Sequence, residues 1–329
     1  MKPPLFWNMP SGQAGIWPTL LAPLSLLWKY ASARRWASGT HTRMQVPVVC
    51  VGNINLGGTG KTPTVIEVVR QLSDIGKIAH VVSRGYGGAL KGPVRVDPGK
   101  HSANEVGDEP LLLAAFAPCW IAKDRAAGAQ AAVDAGAEVI VLDDGMQNPA
   151  LEKDLTIMVA DAQAGFGNGR VFPAGPLRQA IREGVSRSDI ILTIGPTEAQ
   201  KQFQSRWGGL LEGKSISGAL VALETGMDWG GLRALAFAGI GRPQKFFDTL
   251  RAQGAEIVGH HSFSDHQKLS NVLLTRLEKE ANALGAQLVT TEKDAARLPG
   301  TFQQKVLTLP VRLELENPER LDEALRRLF

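Results

Sequence analysis

The fold of this chain is decided by one short glycine-rich stretch, which reads Asn55-Leu56-Gly57-Gly58-Thr59-Gly60-Lys61-Thr62. A β-branched run at residues 46–51 comes just before it and predicts a buried strand. Apolar residues at helical spacing follow it from Val65 to Leu72, and Gly76 ends that pattern. Strand, glycine loop and helix in this order are the context that a phosphate-binding P-loop requires. The stretch therefore predicts a P-loop nucleotide site.

The residue types in this loop suit the binding of a nucleoside triphosphate. Glycines let backbone N–H groups approach the phosphates, and the helix N-terminus favours their negative charge. Lys61 is placed to neutralise the β and γ phosphates, and the hydroxyl of Thr62 can ligate a bridging magnesium ion. Asn55 stands where the consensus has its first glycine, and we expect it to be tolerated because Asn accepts a left-handed backbone. A coincidental glycine turn is the weaker alternative.

An acidic pair at the end of another predicted strand can complete the magnesium site. A strand is predicted at residues 138–142, which are apolar from Val139 onward, and Asp143 and Asp144 follow it directly. Magnesium is usually held by one or two carboxylates besides the phosphates. The alternative is an ordinary polar strand end that turns at Gly145. Beside a P-loop, metal binding is the better interpretation.

Strand and helix patterns alternate along the rest of the chain. Further strands are expected at residues 78–82, 120–122, 155–159, 190–194, 234–237 and 288–291. Further helices are expected at residues 109–117, 124–135, 197–211, 243–252 and 267–284. This alternation predicts a doubly wound, mostly parallel α/β sheet of the P-loop NTPase type. We place the P-loop domain at residues 1–152 and a second, smaller α/β domain at residues 153–329, with a last helix that can return to the first domain.

Composition argues against several other classes of protein. The chain has 329 residues, a net charge of only +4 and 44% hydrophobic residues, which is ordinary for a globular protein of two domains. Cys50 and Cys119 are the only cysteines, and their spacing fits neither a disulfide framework nor a zinc knuckle. A metal cluster at His260, His261 and His266 is a weak alternative, because their spacing matches no familiar zinc pattern.

The N-terminal segment is first apolar and then basic. Residues 5–28 carry no charge, and the basic side chains that follow are Lys29, Arg34, Arg35 and Arg43. Prolines divide the apolar part into pieces shorter than the roughly 20 residues of a spanning helix. A cleaved signal peptide is rejected, because it would export the P-loop away from its nucleotide. A helix in the headgroup layer of an anionic membrane and an arm packed on its own domain both fit the pattern.

Two of three competing classes of P-loop protein lack their markers. A GTPase would carry an Asn-Lys-x-Asp motif that recognises guanine, and the most similar four residues, at 291–294, lack the Asn. A partition-type ATPase would carry a signature Lys directly before the Gly-Gly pair, where this chain has Leu56. The remaining class is a kinase that acts on a small or lipid acceptor.

Seven motifs occur in order along the chain and together point to one family. They are Val51-Gly-Asn-Ile-Asn-Leu-Gly-Gly-Thr-Gly-Lys-Thr-Pro63, Ser83-Arg-Gly-Tyr-Gly87, Val106-Gly-Asp-Glu-Pro110, Leu142-Asp-Asp-Gly-Met-Gln147, Phe172-Pro-Ala-Gly-Pro-Leu-Arg178, Phe237-Ala-Gly-Ile-Gly-Arg-Pro243 and Thr290-Thr-Glu-Lys-Asp294. In combination they closely resemble the tetraacyldisaccharide 4'-kinases over nearly the whole chain. The resemblance implies an enzyme that transfers the γ-phosphate of ATP to the 4'-hydroxyl of tetraacyldisaccharide 1-phosphate, which forms lipid IVA in lipid A biosynthesis. A P-loop ATPase that regulates or inserts a membrane partner is the alternative.

The resemblance also assigns roles to particular residues. Asp108 is the expected base for the acceptor hydroxyl, and His266 of the second domain is expected to pair with it; without the resemblance, Asp108 would be interpreted as a helix cap. ATP and Mg²⁺ are the implied cofactors, with residues 55–62 on the phosphates and Lys61 in catalysis. The expected metal ligands are Thr62, Asp143 and, second to it, Asp144. The expected substrate contacts are Arg84, Tyr86 and Gln147.

Three residues depart from the family's pattern, and no role is carried over to them. Met146 and Asn148 stand where Phe and His are common, and Gln179 stands where Glu is common. The implied partners are the lipid substrate and an anionic membrane surface, with no nucleic acid and no second copy of the chain. The implied location is peripheral, at the cytoplasmic face of the bacterial inner membrane, and the N-terminal segment is the expected point of contact.

Overall fold

The computed structural model describes residues 4–9, 13–265, 267 and 269–329. His266 lies outside the described residues, so its pairing with Asp108 stays a prediction. We refer to the described N-terminal residues up to Ala37 as the arm.

The described residues form two sheets with helices around them. The strands are β1 (Val48–Gly52), β2 (Ala79–Ser83), β3 (Val94–Arg95), β4 (Cys119–Ile121), β5 (Val139–Asp143), β6 (Leu155–Asp161), β7 (Ile190–Ile194), β8 (Ser215–Ala222), β9 (Arg233–Ala238), β10 (Glu256–Ser262), β11 (Gln287–Thr291), β12 (Val306–Leu309) and β13 (Val311–Leu315). The helices are α1 (Trp17–Leu20), α2 (Ala22–Ala37), α3 (Lys61–Asp74), α4 (Ala103–Val106), α5 (Asp108–Leu113), α6 (Arg125–Asp134), α7 (Ile181–Ser186), α8 (Thr197–Trp207), α9 (Pro243–Ala252), α10 (Asn271–Leu284), α11 (Glu292–Ala295), α12 (Gly300–Gln303) and α13 (Pro318–Arg326).

The larger sheet carries the P-loop strand at its centre. Its order is β13-β8-β7-β6-β1-β5-β2-β4-β3, and all neighbours are parallel except the outermost pair at each edge. The central strands β1, β5 and β6 are buried at every residue, because helices cover both faces of a doubly wound sheet. This burial explains their continuous apolar sequence and agrees with the predicted architecture.

The division between the two sheets does not follow the predicted boundary. β6, β7 and β8 all come after residue 152, yet they extend the P-loop sheet by parallel pairing from β1 outward. The chain also returns to this sheet with β13, and α13 packs Leu321 and Leu325 into its core. The smaller sheet, in the order β10-β9-β11-β12, uses only the segment from β9 to β12. A boundary at residue 152 is therefore wrong for the sheets, because counting strands does not reveal which sheet a new strand joins.

The arm lies on loops of the larger sheet and is anchored along one side. Trp7 Nε1 donates to Pro173 O at 3.0 Å, Ser25 Oγ to Val171 O at 2.8 Å and Trp28 Nε1 to Arg178 O at 2.9 Å. None of the helices within the described ranges combines the length and the hydropathy that crossing a bilayer would require.

Candidate active site

The P-loop joins β1 to α3 at the carboxyl edge of the larger sheet. Gly57 and Gly60 have φ of 127° and 97°, in the region that favours glycine. α3 begins at Lys61, directly after Gly60. The loop and the helix N-terminus therefore lie together, as the predicted phosphate site requires.

Asn55 is held by its side chain rather than by a left-handed backbone. The described non-glycine residues with positive φ are His41, Asp144 and Glu212, so the expected reason for tolerating Asn55 is wrong. Its Nδ2 instead donates to Gly165 O at 3.0 Å, and Leu56 N donates to Pro176 O at 2.7 Å. The first part of the loop is thus fixed to the segment before Arg178.

A second asparagine supports the loop from below. Asn53 is fully buried, and its Nδ2 donates to Gly57 O at 3.1 Å and to Thr59 Oγ1 at 3.0 Å. Sequence reasoning gave Asn53 no role, although it lies inside the first motif. An amide that spans the turn limits the positions that the glycines can adopt.

Asp143 ends β5, the strand beside β1, and is buried there. Its Oδ2 accepts a hydrogen bond from Ser83 Oγ at 2.8 Å. Burial, followed by the charges of Glu109 and Asp144, raises the pKa of Asp143 to about 6. Across the described ranges, no hydrogen-bond donor reaches its Oδ1. A buried carboxylate oxygen without a donor fits a bound cation, and Asp143 stays a predicted magnesium ligand.

Asp144 faces two cations. Arg178 Nη1 donates to its Oδ1 at 3.2 Å and to its Oδ2 at 3.1 Å, and Lys61 Nζ lies 3.9 Å from Oδ1. Burial acts to raise the pKa of Asp144, but Lys61 and Arg178 outweigh it and hold that pKa below its ordinary value. Asp144 is therefore a carboxylate next to the P-loop lysine. No cluster of three or more protein ligands that could hold a metal occurs in the described part of the chain, so a magnesium ion here would also need the phosphates.

Two arginines stabilise the acidic pair, and sequence reasoning gave neither a role. Arg178 is the last residue of the fifth motif, at residues 172–178, and its place in that motif was the available signal. Arg125 is buried at the start of α6 and donates to Ala122 O at 3.1 Å and to Asp143 O at 3.2 Å. Burial lowers the pKa of Arg125, while Asp143 and Asp144 act to raise it.

Gln147 lines the cavity and also connects the acidic pair to the strand end before the P-loop. Its Nε2 donates to Asn53 O at 2.8 Å and to Gln179 Oε1 at 3.2 Å, and its Oε1 accepts from Arg178 Nη1 at 3.2 Å. Gln179 is buried beside it, and Met146 is buried against Gly52. Met146 and Gln179, two of the three residues that depart from the family's pattern, thus support the site from behind.

Asp108 begins α5 and lies where the two sheets meet. Its Oδ1 accepts from Glu109 N at 3.0 Å, and its Oδ2 is 4.0 Å from Lys293 Nζ. The same ammonium lies 3.1 Å from Glu109 Oε1 and 3.3 Å from Asp265 Oδ1. Lys293 belongs to α11, beside the smaller sheet. The predicted base is therefore next to Asp265, the residue that precedes His266 in the sequence.

One cavity of about 1280 Å³ brings these groups together. Its lining includes the P-loop, Asp143 and Asp144, the exposed Arg84 and Tyr86 after β2, and Glu109. The smaller sheet contributes Arg242 and Lys245, whose side chains pair with Asp161 at 2.9 and 2.6 Å. The arm contributes Trp28, Ser32 and Arg35. Nearly every residue that the sequence singled out within the described ranges lies in or beside this cavity.

Known proteins resemble this chain over its whole length. A family described as tetraacyldisaccharide-1-P 4'-kinase matches residues 17–329. A tetraacyldisaccharide 4'-kinase from Dinoroseobacter shibae is 58% identical, covering 100% of this chain and 98% of its own length. One from Jannaschia sp. is 51% identical, covering 100% of this chain and 99% of its own.

A solved structure resembles the fold as well. The crystal structure of the "apo" form of LpxK from Aquifex aeolicus, in complex with ATP, has a TM-score of 0.77 and 27% identity, covering 95% of this chain and 99% of that one. This likeness confirms the predicted P-loop α/β fold, and the sequence relatives confirm the family that the seven motifs indicated. The chain belongs to the tetraacyldisaccharide 4'-kinase family.

Proposed function

We propose that this chain transfers the γ-phosphate of ATP to the 4'-hydroxyl of tetraacyldisaccharide 1-phosphate at the cytoplasmic face of the bacterial inner membrane. The observation that carries the proposal is the shared cavity, whose lining includes both the P-loop and residues of the arm. A P-loop binds a phosphate donor, and an exposed apolar arm suits a lipid acceptor. Membership of the family supports the identity of that acceptor.

On the donor side, residues 55–62 hold the phosphates and Lys61 neutralises the charge of the transferring group. Thr62, Asp143 and Asp144 would hold Mg²⁺, which would offset the negative charge of the phosphates. Arg178 keeps Asp144 ionised and oriented, because it contacts both of its oxygens. Hydrogen bonds from Arg178 and Gln147 fix the position of these groups, so little reorganisation is needed during transfer.

On the acceptor side, Asp108 takes the proton of the 4'-hydroxyl as that oxygen attacks the γ-phosphorus, and ADP leaves. Its position at the junction of the sheets, beside the loop that leads to His266, supports this role. Arg84 and Tyr86 are exposed on the cavity wall, where a cation and a phenol can contact a phosphorylated sugar. Gln147 acts through Arg178 and Asn53 rather than on the substrate directly.

The arm is the proposed membrane contact. Trp17 and Leu20 of α1 and Leu24 and Leu27 of α2 are all more than half exposed. The basic side chains on or beside the same helix are Lys29, Arg34 and Arg35. Apolar residues that insert shallowly and cations that meet anionic headgroups together give peripheral binding.

A coupling assay separates the proposal from its alternative. The purified protein receives ATP and Mg²⁺ with anionic vesicles that either contain or omit tetraacyldisaccharide 1-phosphate, and both ADP and phosphorylated lipid are measured. We expect equal amounts of the two products with the acceptor, and neither without it, and we expect Lys61→Ala, Asp108→Ala and His266→Ala to lose both. ADP release without lipid product would instead favour a P-loop ATPase that acts on a membrane partner. Full activity of Asp108→Ala would remove only the proposed base.

A further inference from the structure

The proposed function gives no role to the motif at residues 290–294, yet Lys293 of this motif lies beside Asp108, the proposed base. Lys293 Nζ lies 3.1 Å from Glu109 Oε1, 3.3 Å from Asp265 Oδ1 and 4.0 Å from Asp108 Oδ2. Asp108 and Glu109 belong to α5 of the larger sheet, and Asp265 follows β10 of the smaller sheet. One ammonium therefore joins carboxylates from both sides of the cavity.

The backbone that carries Lys293 is fixed by both of its neighbours. Asp294 is fully buried, accepts hydrogen bonds from Gly239 N at 2.9 Å and Thr291 Oγ1 at 2.8 Å, and pairs with Arg297. Glu292 pairs with Arg312 Nη1 at 2.7 Å, on β13 of the larger sheet. A residue between two such anchors delivers its side chain from a defined position, which a mobile surface lysine does not do.

Lys293 faces several acids. Three carboxylates share one described ammonium, and Asp143 and Asp144 lie farther along the same cavity. Burial acts to lower the pKa of Lys293, but Glu109, Asp108 and Asp265 outweigh it and raise that pKa, so the side chain stays charged. Without this cation, the acids of α5 would repel each other and Asp265 across the junction.

We propose that Lys293 is a positioning residue for phosphoryl transfer, whose ammonium holds Asp108 and Glu109 in place against Asp265. The inference rests on the proposed function, in which Asp108 receives the acceptor proton. A base that is displaced by about 1 Å can lose on the order of a hundredfold in rate even when both substrates still bind. The orientation of Asp108 should therefore depend on Lys293, while ATP affinity should not.

The test compares Lys293→Met, Lys293→Arg and a matched control, Lys305→Met, in steady-state transfer to the lipid acceptor. Lys305 lies in the same part of the chain and pairs with Glu278 at 2.5 Å on the surface, away from the cavity lining. We expect Lys293→Met to lower kcat by about ten- to a hundredfold with the KM for ATP within about twofold of the parent. We expect Lys293→Arg to recover most of kcat and Lys305→Met to match the parent.

A charge-restoring variant adds a second measurement. Lys293→Met combined with Glu109→Gln removes one acid along with the cation, so its kcat should lie between those of the parent and Lys293→Met. If Lys293→Met does not fold, this double variant still supports the inference when kcat is reduced at an unchanged KM for ATP.

Two outcomes would overturn the inference while leaving the proposed function standing. One is an active parent protein with a Lys293→Met variant whose kcat equals that of the parent. The other is an active parent whose Lys293→Met and Lys293→Arg variants lose kcat, ATP binding and thermal stability equally, because Lys293 would then only join the sheets. A parent without lipid-dependent transfer would overturn the proposed function and the inference together.

Discussion

The cavity buries charged side chains and the arm exposes apolar ones, and both are the reverse of the usual pattern in a folded protein. The cavity walls bury charged side chains, since Asp143 and Arg125 are only 2% and 3% exposed, whereas the arm exposes Leu20, Leu24 and Leu27 by 60%, 51% and 66%. Buried charge and exposed hydrocarbon both cost free energy in water. A ligand of matching chemistry would offset each cost. In the proposed function, the charged cavity meets the phosphates of the donor, whereas the apolar arm meets the membrane that holds the lipid acceptor.

The two surfaces meet at Trp28. Its indole ring packs edge-on against Phe172 at 4.9 Å, its Nε1 donates to Arg178 O, and its side chain lines the cavity. Arg178 in turn holds Asp144. The arm is thus connected through Arg178 to Asp144, and variants can test whether the two surfaces act separately or together.

The largest expected effect is at the P-loop. Lys61→Met removes the cation that neutralises the transferring phosphate, and we expect kcat to fall by at least about a hundredfold. Binding to anionic vesicles should be unchanged, because Lys61 lies in the cavity and the arm is intact. Transfer and vesicle sedimentation measured on the same preparation would show this. A Lys61→Met protein that no longer sediments with vesicles would mean that the two surfaces are not separable.

The reverse variant changes the arm alone. Leu20→Ser, Leu24→Ser and Leu27→Ser together remove exposed apolar area, and we expect vesicle binding to weaken by at least about tenfold while ATP affinity is unchanged. We prefer substitution of these leucines to deletion of the arm. A deletion would also remove Trp7, Ser25 and Trp28, which anchor the arm near Arg178. Val272→Ser, which changes an exposed apolar residue of α10, is the matched control. Equal vesicle binding by the triple variant and the control would contradict a role of the arm at the membrane.

A smaller effect is expected where the surfaces meet. Trp28→Phe keeps an aromatic ring against Phe172 but removes the hydrogen bond to Arg178 O, which is worth about 1 kcal/mol. We expect kcat to fall about two- to fivefold, with vesicle binding unchanged. Transfer kinetics would measure this, and Trp17→Phe, which changes an exposed tryptophan of α1, is the control. An equal loss in both variants would show that Trp28 acts only through its apolar surface.

The smallest effect concerns the stability of the metal-free protein. The pKa of Asp143 is raised from 3.8 to about 6 on folding, so the folded protein binds a proton more readily and loses stability as pH rises between those values. Asp143→Asn removes this loss of stability. We therefore expect the Tm of the variant to exceed that of the parent by a few degrees at neutral pH, which corresponds to roughly 1 kcal/mol in the free energy of unfolding. The difference should disappear toward pH 4.

The neighbouring acid provides a control of opposite sign. Because the pKa of Asp144 is lowered on folding, its contribution is present at neutral pH and is lost as pH falls through that lowered pKa. Asp144→Asn should therefore lower Tm at neutral pH, and its difference from the parent should shrink in acid. Thermal unfolding of both variants in chelator would contradict the account if the two shifts had the same sign.

Much of the larger sheet could be predicted because its signals are local. β1, β5, β6 and β7 are buried on both faces, so each is a continuous apolar run, and the P-loop has its own glycine spacing. β8, β10, β12 and β13 were not predicted, because they lie at or near sheet edges and are only partly buried. Such strands carry a weaker apolar pattern, and their pairing is set by distant segments.

The site also contains residues whose roles the sequence could predict and residues whose roles it could not. The loop, Lys61 and the acidic pair carry recognisable spacing, and their place beside one another follows from adjacent parallel strands. Lys293 and Arg125 could not be assigned roles, because Glu109 lies 184 residues from the one and Asp143 lies 18 residues from the other, with no shared spacing. The partners of Asn53 are near in sequence, but its hydrogen bonds depend on how the loop turns back over β1. Only the fold shows that Lys293 of the last motif reaches Glu109 of the third.

The most direct test of the central claim is to identify the atom that receives the phosphate. The parent protein is incubated with ATP labelled at its γ position and with tetraacyldisaccharide 1-phosphate in anionic vesicles, and the lipid product is examined by mass spectrometry and NMR. We predict a single added phosphate on the 4'-oxygen, carrying the label, with none formed by Lys61→Met. Phosphate on another atom, or ATP consumed while the disaccharide stays unmodified, would contradict the account.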